Sequence, residues 1–186
     1  MTDSYQQRQF NIFYGPEWQQ RDTSLDVYGP SGWALGEKLT GFDHVLHVNC
    51  GNNPFRRLIA NLRGQDPANP NADYVDTLEH YAQVHRTSRF NSVFILGGLN
   101  YGTQDYIGQQ LEIIVTYLLF KRDAKIYWRF YTEPDPSDPE ADTFFYWTPT
   151  LIQTFADQFN FEIVELMDDA DNSLYSYWYS YNRAQW

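Results

Sequence analysis

The chain has 186 residues, enough for one domain, and at 42% hydrophobic and 20% charged residues it is too apolar to be disordered. Thirteen basic residues against 24 acidic ones leave a net charge of −11, which disfavours nucleic acid and anionic membrane as partners. One cysteine excludes a disulfide framework and a cysteine-built zinc site, and no apolar run approaches the roughly 18 residues of a membrane span.

The N-terminal run MTDSYQQRQF has no basic region followed by an apolar stretch, so a secretory signal is not expected. The expected location is the cytoplasm. Residues 1–40, rich in Gln, Tyr, Trp and Gly, carry weak periodicity and read as a cap segment on a core formed by 41–186. The whole is expected to be a single domain.

The pattern sharpens at His44–Val48, a short strand, followed by a polar turn over Asn49–Asn53. Asn53 and Pro54 together predict an N-cap and first helical residue, with a helix over 54–59. A second strand fits Leu62–Gln65 and ends at Asp66. After the loop 67–71, Ala72–Val75 reads as a third strand and Leu78–His85 as a helix. Ser92–Leu96 is a buried strand that runs into Gly97 and Gly98.

Ile107, Leu111, Ile114, Val115 and Leu118 make one helical stripe, with Thr103 as cap and Asp105 at its positive end. Ala124–Phe130 is a strand of β-branched and aromatic type. An acidic loop with Glu133, Asp135, Asp138, Glu140 and Asp142 follows; it lacks the spacing and the glycine of a calcium loop. Thr148-Pro149 opens another helix, whose face is Leu151, Ile152, Phe155 and Phe159. Phe161–Met167 and Leu174–Tyr181 are strands joined by so short a turn that they must be antiparallel.

Alternation of this kind predicts an α/β fold: a Rossmann-like, three-layer α/β/α arrangement around a mostly parallel sheet, with helices on both faces. Ligands of such sheets sit at the carboxyl ends of the strands, where strand order reverses. The loops there carry the candidate site.

The run Val45-Leu46-His47-Val48-Asn49-Cys50-Gly51-Asn52-Asn53-Pro54-Phe55 resembles the first motif of class I S-adenosylmethionine-dependent methyltransferases, V-L-D-x-G-C-G-x-x-P-[FY]. Gly64-Gln65-Asp66 is similar to the acidic end of the family's second strand, and Phe94–Tyr101 to its motif after the fourth. The likeness covers roughly residues 40–180 and is to short members of the class, with a divergent first motif. It implies seven strands, the last antiparallel, and S-adenosylmethionine as methyl donor. It also implies His47, Asn49, Cys50, Gly51, Asp66, Asp76, Gly97 and Gly98 as the cofactor-binding positions. Asn100 and Tyr101 fall on the acceptor side and are the candidate catalytic residues.

The acceptor implied is a small molecule or a protein side chain. A dinucleotide enzyme would carry G-x-G-x-x-G, and one glycine stands here, so that reading is weaker. Two departures stand out: His47 replaces the family's acid, and Asn49 replaces the first glycine of the turn. They imply that restoring Asp and Gly would tighten cofactor binding, and they keep open a methyltransferase fold without turnover, used for binding or interaction.

Other readings stay open. Asp66 could be a plain turn residue, Asp76 a helix cap, His47 a satisfied core histidine and Cys50 a buried filler. His80 and His85 are five apart and do not share a helix face, so no metal pair is expected. Arg56 and Arg57 read as solvated. In Lys121-Arg122-Asp123 the family often has Pro-Gly-Gly, a change expected to concern only the loop.

Overall fold

The computed structural model describes residues 38, 39, 41, 43–87, 89–96, 98–120, 122–134, 136, 137, 141, 144–169 and 173–180. Most of the expected cap segment, Gly97, Lys121, and Asp135, Asp138, Glu140 and Asp142 of the acidic loop lie outside the described residues. The strands are β1 (Val45–Val48), β2 (Leu62–Gln65), β3 (Ser92–Ile95), β4 (Ala124–Tyr131), β5 (Glu162–Asp169) and β6 (Ser173–Ser180). They form one sheet in the order β2-β1-β3-β4-β6-β5. β2, β1, β3 and β4 are parallel; β6 pairs antiparallel with both β4 and β5. β1 lies between β2 and β3, so the chain steps one way from β1 and then returns past it. The switch point of the sheet is therefore at the carboxyl ends of β1 and β3.

Six strands are described where seven are expected. The segment Ala72–Val75 contributes only a single parallel bridge, Gln65 to Tyr74. The reason is a side chain. Asp73 accepts the Gly64 N–H at 2.8 Å, a bond that a strand backbone would otherwise take. Tyr74 then bonds Gly64 and Asp66 through its main chain, and the ladder ends there.

Among the described residues three α-helices have both ends in view: α1 (Leu78–Val84), α2 (Gln104–Ile113) and α3 (Pro149–Gln158). Thr77, Thr103 and Thr148 cap them, each hydroxyl accepting the N–H three residues on. The stripe expected of α2 is buried throughout: Ile107, Leu111, Ile114, Val115 and Leu118 are at most 2% exposed. The last turn widens into a π-helix over Ile114–Leu118, closed by the Leu119 N–H on the Ile114 carbonyl.

All three helices pack on one face of the sheet, in one core with Leu46, Val48, Val93, Ile126 and Trp128. Much of the aromatic content is spent there. Trp128 meets Phe130, Trp147 and Trp178 at centroid distances of 4.5, 5.1 and 5.7 Å. The opposite face carries a smaller core of Val45, Phe55, Ile59, Phe94, Tyr127 and Tyr175, with Leu39 packed against it. Helices were expected on both faces. Among the described residues the second face carries the 3-10 turn Pro54–Arg57 and the helical residue Lys38, whose neighbour Leu39 packs on that core.

That turn also corrects the expected cap. Asn53 is left-handed, at φ 56, and makes no side-chain cap bond. A cap residue needs extended backbone, and here the carboxamide reaches instead to Asp73 at 3.1 Å. Asp123 behaves as a glycine substitute before β4, at φ 55, so the changed loop keeps its turn.

Two ion pairs are sealed at the strand ends. Asp43 holds Lys125 at 2.9 Å, and Arg129, 4% exposed, holds Asp169 at 2.9 Å and Ser173 at 3.1 Å. Breaking such a pair strands a charge out of water. Asp169→Ala is expected to cost ~3 kcal/mol or more in chemical denaturation, whereas Asp123→Ala, at an exposed turn, stays within ~1 kcal/mol of wild type.

Candidate active site

At the carboxyl end of β1 the chain turns sharply through two left-handed residues, Asn49 at φ 51 and Gly51 at φ 55. The turn is fastened to β2 at every step. The Asn49 N–H donates to Gln65 Oε1 at 3.4 Å, Cys50 N–H to the Gln65 carbonyl at 3.0 Å, and Gly51 N–H to Asp66 Oδ2 at 2.9 Å. Asp66 is 7% exposed, and its other oxygen accepts the N–H groups of Ala68 and Asn69, both at 2.9 Å. Three donors occupy a carboxylate with about four acceptor positions. One further bond is open at this position, which the resemblance implies is cofactor-binding.

Beyond Asp66 lies an amide-rich rim that the sequence reading passed over. Asn69 donates to Asn52 at 2.7 Å, and Asn71 donates to the same oxygen at 3.1 Å. Asp73 gathers Gly64, Asn53 and Arg56. Its burial opposes ionisation, but the Gly64 N–H, Arg56 and Asn53 outweigh that and hold its carboxyl below the ordinary value. Arg56, expected to be solvated, is thus half-committed to this rim. Gln65 could have been noticed from its place one residue before Asp66; Asp73 had only its turn-rich setting to mark it.

β3 opens onto Gly98, Leu99, Asn100 and Tyr101. A Cβ at Gly98 would fall 2.7 Å from the Asn49 Cβ and 3.1 Å from the Val48 carbonyl oxygen. The bulk that Asn49 adds to the turn is therefore accommodated by the absence of any at 98. Leu99 adopts φ 55 and is 1% exposed, a strained backbone held by the burial of its side chain. Asn100 is fully buried, donates to the Arg129 carbonyl at 3.0 Å, and leaves its Oδ1 without a partner. Tyr101 accepts the Asn49 carboxamide N–H at 2.9 Å.

The remaining positions separate from this group. His47 points to the other face of the sheet, 1% exposed, edge-on to Phe55 and Phe94 at 5.8 and 6.1 Å. Burial alone drives its pKa down to about 3, so it is neutral, and its Nδ1 has no partner. It is a core histidine that is sealed but not satisfied. Cys50 is 1% exposed, and burial pushes its thiol well above the ordinary value, as expected of a filler and not of a nucleophile. Asp76 accepts the Thr77 N–H at 2.8 Å and pairs with His80, so its carboxylate serves the start of α1. His85 packs at a tilt against Tyr81 and Tyr74, at centroid distances of 4.6 and 5.1 Å. Among the described residues no cluster of three or more His, Cys, Asp or Glu is placed to hold a metal.

No family model and no curated protein matches the chain. Solved structures do. Magnesium protoporphyrin IX methyltransferase of Synechocystis, solved with bound SAM, aligns over 96% of this chain and 98% of its own, with a TM-score of 0.63 and 10% identity. The 1,6-didemethyltoxoflavin-N1-methyltransferase of Burkholderia thailandensis aligns over 96% and 88%, with 0.64 and 14%. The N-methyltransferase NodS of Bradyrhizobium japonicum, in complex with S-adenosylhomocysteine, aligns over 95% and 97%, with 0.62 and 13%. The chain has the fold of the S-adenosylmethionine-dependent methyltransferases. Among the described residues no helix is long and apolar enough to cross a membrane.

Two outcomes follow from the packing at this end of the sheet. Gly98→Ala should destabilise by ~1–3 kcal/mol through overpacking, and Asn49→Gly in the same chain should recover part of that loss. A double-mutant cycle in urea that shows simple additivity contradicts the contact. His47 gives a pH signature. The unfolded imidazole takes a proton near pH 6.5, while the buried one stays neutral to about 3. Its contribution is thus complete above pH 6.5 and falls by about 1.4 kcal/mol per unit as the pH drops below that. His47→Leu should flatten the slope between pH 6 and 4.

Proposed function

We propose that the protein is an S-adenosylmethionine-dependent methyltransferase acting on a small molecule. The carrying observation is how the turn after β1 spends its main-chain donors. In a phosphate-binding loop such N–H groups converge on the ligand. Here those of Asn49, Cys50 and Gly51 are all given to Gln65 and Asp66. The mouth of the site presents a carboxylate in their place, which repels a phosphate and suits a cationic, phosphate-free nucleoside. That favours a sulfonium donor over a dinucleotide.

Residue by residue, Gly51 gives the close backbone approach, and Asp66 offers its remaining acceptor position to one ribose hydroxyl. Gly97 and Gly98 would flank the donor from β3, with Gly97 outside the described residues. Asp76 would reach the adenine amino group only by leaving Thr77 or His80, so bracing the cap residue Thr77 at the start of α1 is its better-supported role. His47 faces away and contributes no ligand contact in this arrangement.

S-adenosylmethionine supplies an already activated methyl group: the bond to sulfur breaks, its electron pair stays on sulfur as a thioether, and the acceptor's lone pair forms the new bond. What the protein adds is orientation and proximity. Asn100 and Tyr101 are the residues on the acceptor side. The Asn100 Oδ1, buried and unpartnered, is suited to receive an N–H or O–H of an acceptor. A small-molecule acceptor is supported by the fold neighbours, a magnesium protoporphyrin IX methyltransferase and a 1,6-didemethyltoxoflavin-N1-methyltransferase, and by the charge of −11, which opposes polyanions.

Isothermal titration with S-adenosylhomocysteine tests the reading. Wild type should bind, and Asp66→Ala should bind ~1.5–3 kcal/mol more weakly, the scale of a hydrogen bond to a charged group. Asp66→Asn, which keeps one acceptor oxygen, guards against loss of the turn. Equal affinity in a variant with an unchanged melting curve would sink the assignment.

A further inference from the structure

The Asn49 side chain stands where a glycine turn would leave open space. It is fixed at both ends. Its Cβ lies against the Gly98 backbone, where even one added carbon would come within 2.7 Å. Its Nδ2 donates to the Tyr101 hydroxyl at 2.9 Å, 52 residues along the chain. The main chain beneath it is left-handed and tied to Gln65. The bond joins the loop after β1 to the loop after β3, across the crevice at the sheet's switch point, which is where ligands of such sheets bind. The Asn49 carboxamide therefore bridges the two loops at the place where the sheet would receive a ligand.

We propose that Asn49 and Tyr101 form a latch across the crevice, which the methyl donor must open to bind. The inference rests on the methyltransferase reading of the site. Opening needs only a rotation of the Asn49 side chain to another staggered position, since its backbone is held by Gln65 and need not move. The cost is one neutral hydrogen bond and the carboxamide's share of the contact over Gly98; the Cβ contact is unchanged by the rotation. Tyr101 is also on the acceptor side, so the opening couples the two halves of the site: donor entry changes what the Tyr101 hydroxyl bonds. Both residues act here as positioning residues.

The test is titration of S-adenosylhomocysteine into the full chain as wild type, Asn49→Gly, Tyr101→Phe and the double variant. Tyr101→Phe keeps the ring and removes only the hydroxyl, so it guards against a folding defect at Asn49. Each single variant should bind about three- to tenfold more tightly, the equivalent of one net hydrogen bond. Because one bond is removed in either case, the double variant should gain less than the product of the two. Backbone amides of residues 98–102 should exchange faster in ligand-free Tyr101→Phe than in wild type, while wild type should gain the same exposure on ligand binding. If wild type binds and the variants bind equally or more weakly, the latch is wrong and the methyltransferase reading stands. Binding by Asn49→Gly alone supports the latch in its strongest form. Should no form bind at millimolar ligand, both readings fall together.

Discussion

The carboxylate of Asp66 is the tie on which the site depends. It accepts the Gly51 N–H with one oxygen and those of Ala68 and Asn69 with the other. Parallel strands diverge at their ends, and past β1 and β2 the main chain supplies one bond between them, Cys50 N–H to the Gln65 carbonyl. A single ionised side chain with three donors replaces a ladder there, and charge-assisted bonds of this kind are stronger than neutral ones. The sharp turn at Asn49–Gly51 keeps its shape because its donors are anchored to β2 before any ligand arrives.

The same economy explains the strand that is missing. The Asp73 side chain takes the bond at Gly64 that would have begun a sixth ladder, to a seventh strand, and it gathers Asn53 and Arg56 as well. The sheet edge beside β2 is finished by side chains in place of backbone. Gly64 is required for it, since a Cβ there would lie 2.6 Å from the Asn53 carboxamide. At the other edge β5 carries a bulge between Ile163 and Glu165 and acidic residues along its length, features that discourage further strand pairing.

The strands and long helices were legible because burial writes itself into sequence: an apolar run such as Ser92–Ile95, or the stripe of α2, has one low-energy placement. The caps at Thr103 and Thr148 followed from local chemistry. Asn53 did not, because its side chain answers to Asp73, twenty residues on, and only the folded chain brings the two together. The glycine and acid of the site, Gly51 and Asp66, could be located by motif and strand end. Their mutual bond could not, nor the pairing of Asn49 with Gly98 and Tyr101. Those depend on the distance between β1 and β3, which no local pattern encodes. His47 was legible as a substitution and, from its place mid-strand between apolar neighbours, as a core histidine; that its Nδ1 goes without a partner was not.

The orientation of His47 decides what the divergent first motif can mean. A carboxylate in the seat of His47 would lie edge-on between Phe55 and Phe94, with no cation and no donor recorded against the ring nitrogen it replaces. Burial strong enough to hold a histidine neutral down to about pH 3 would hold a carboxylic acid neutral too, by raising its pKa. An Asp placed there would therefore supply no anion to a sulfonium or ammonium group, and would exchange one orphaned polar atom for two. The two departures from the family pattern are thus of different kinds. His47 is a matter of the core under the Pro54–Arg57 turn. Asn49 stands over Gly98 and bonds Tyr101, so under the proposed function an effect of the altered motif on donor affinity would act through its carboxamide.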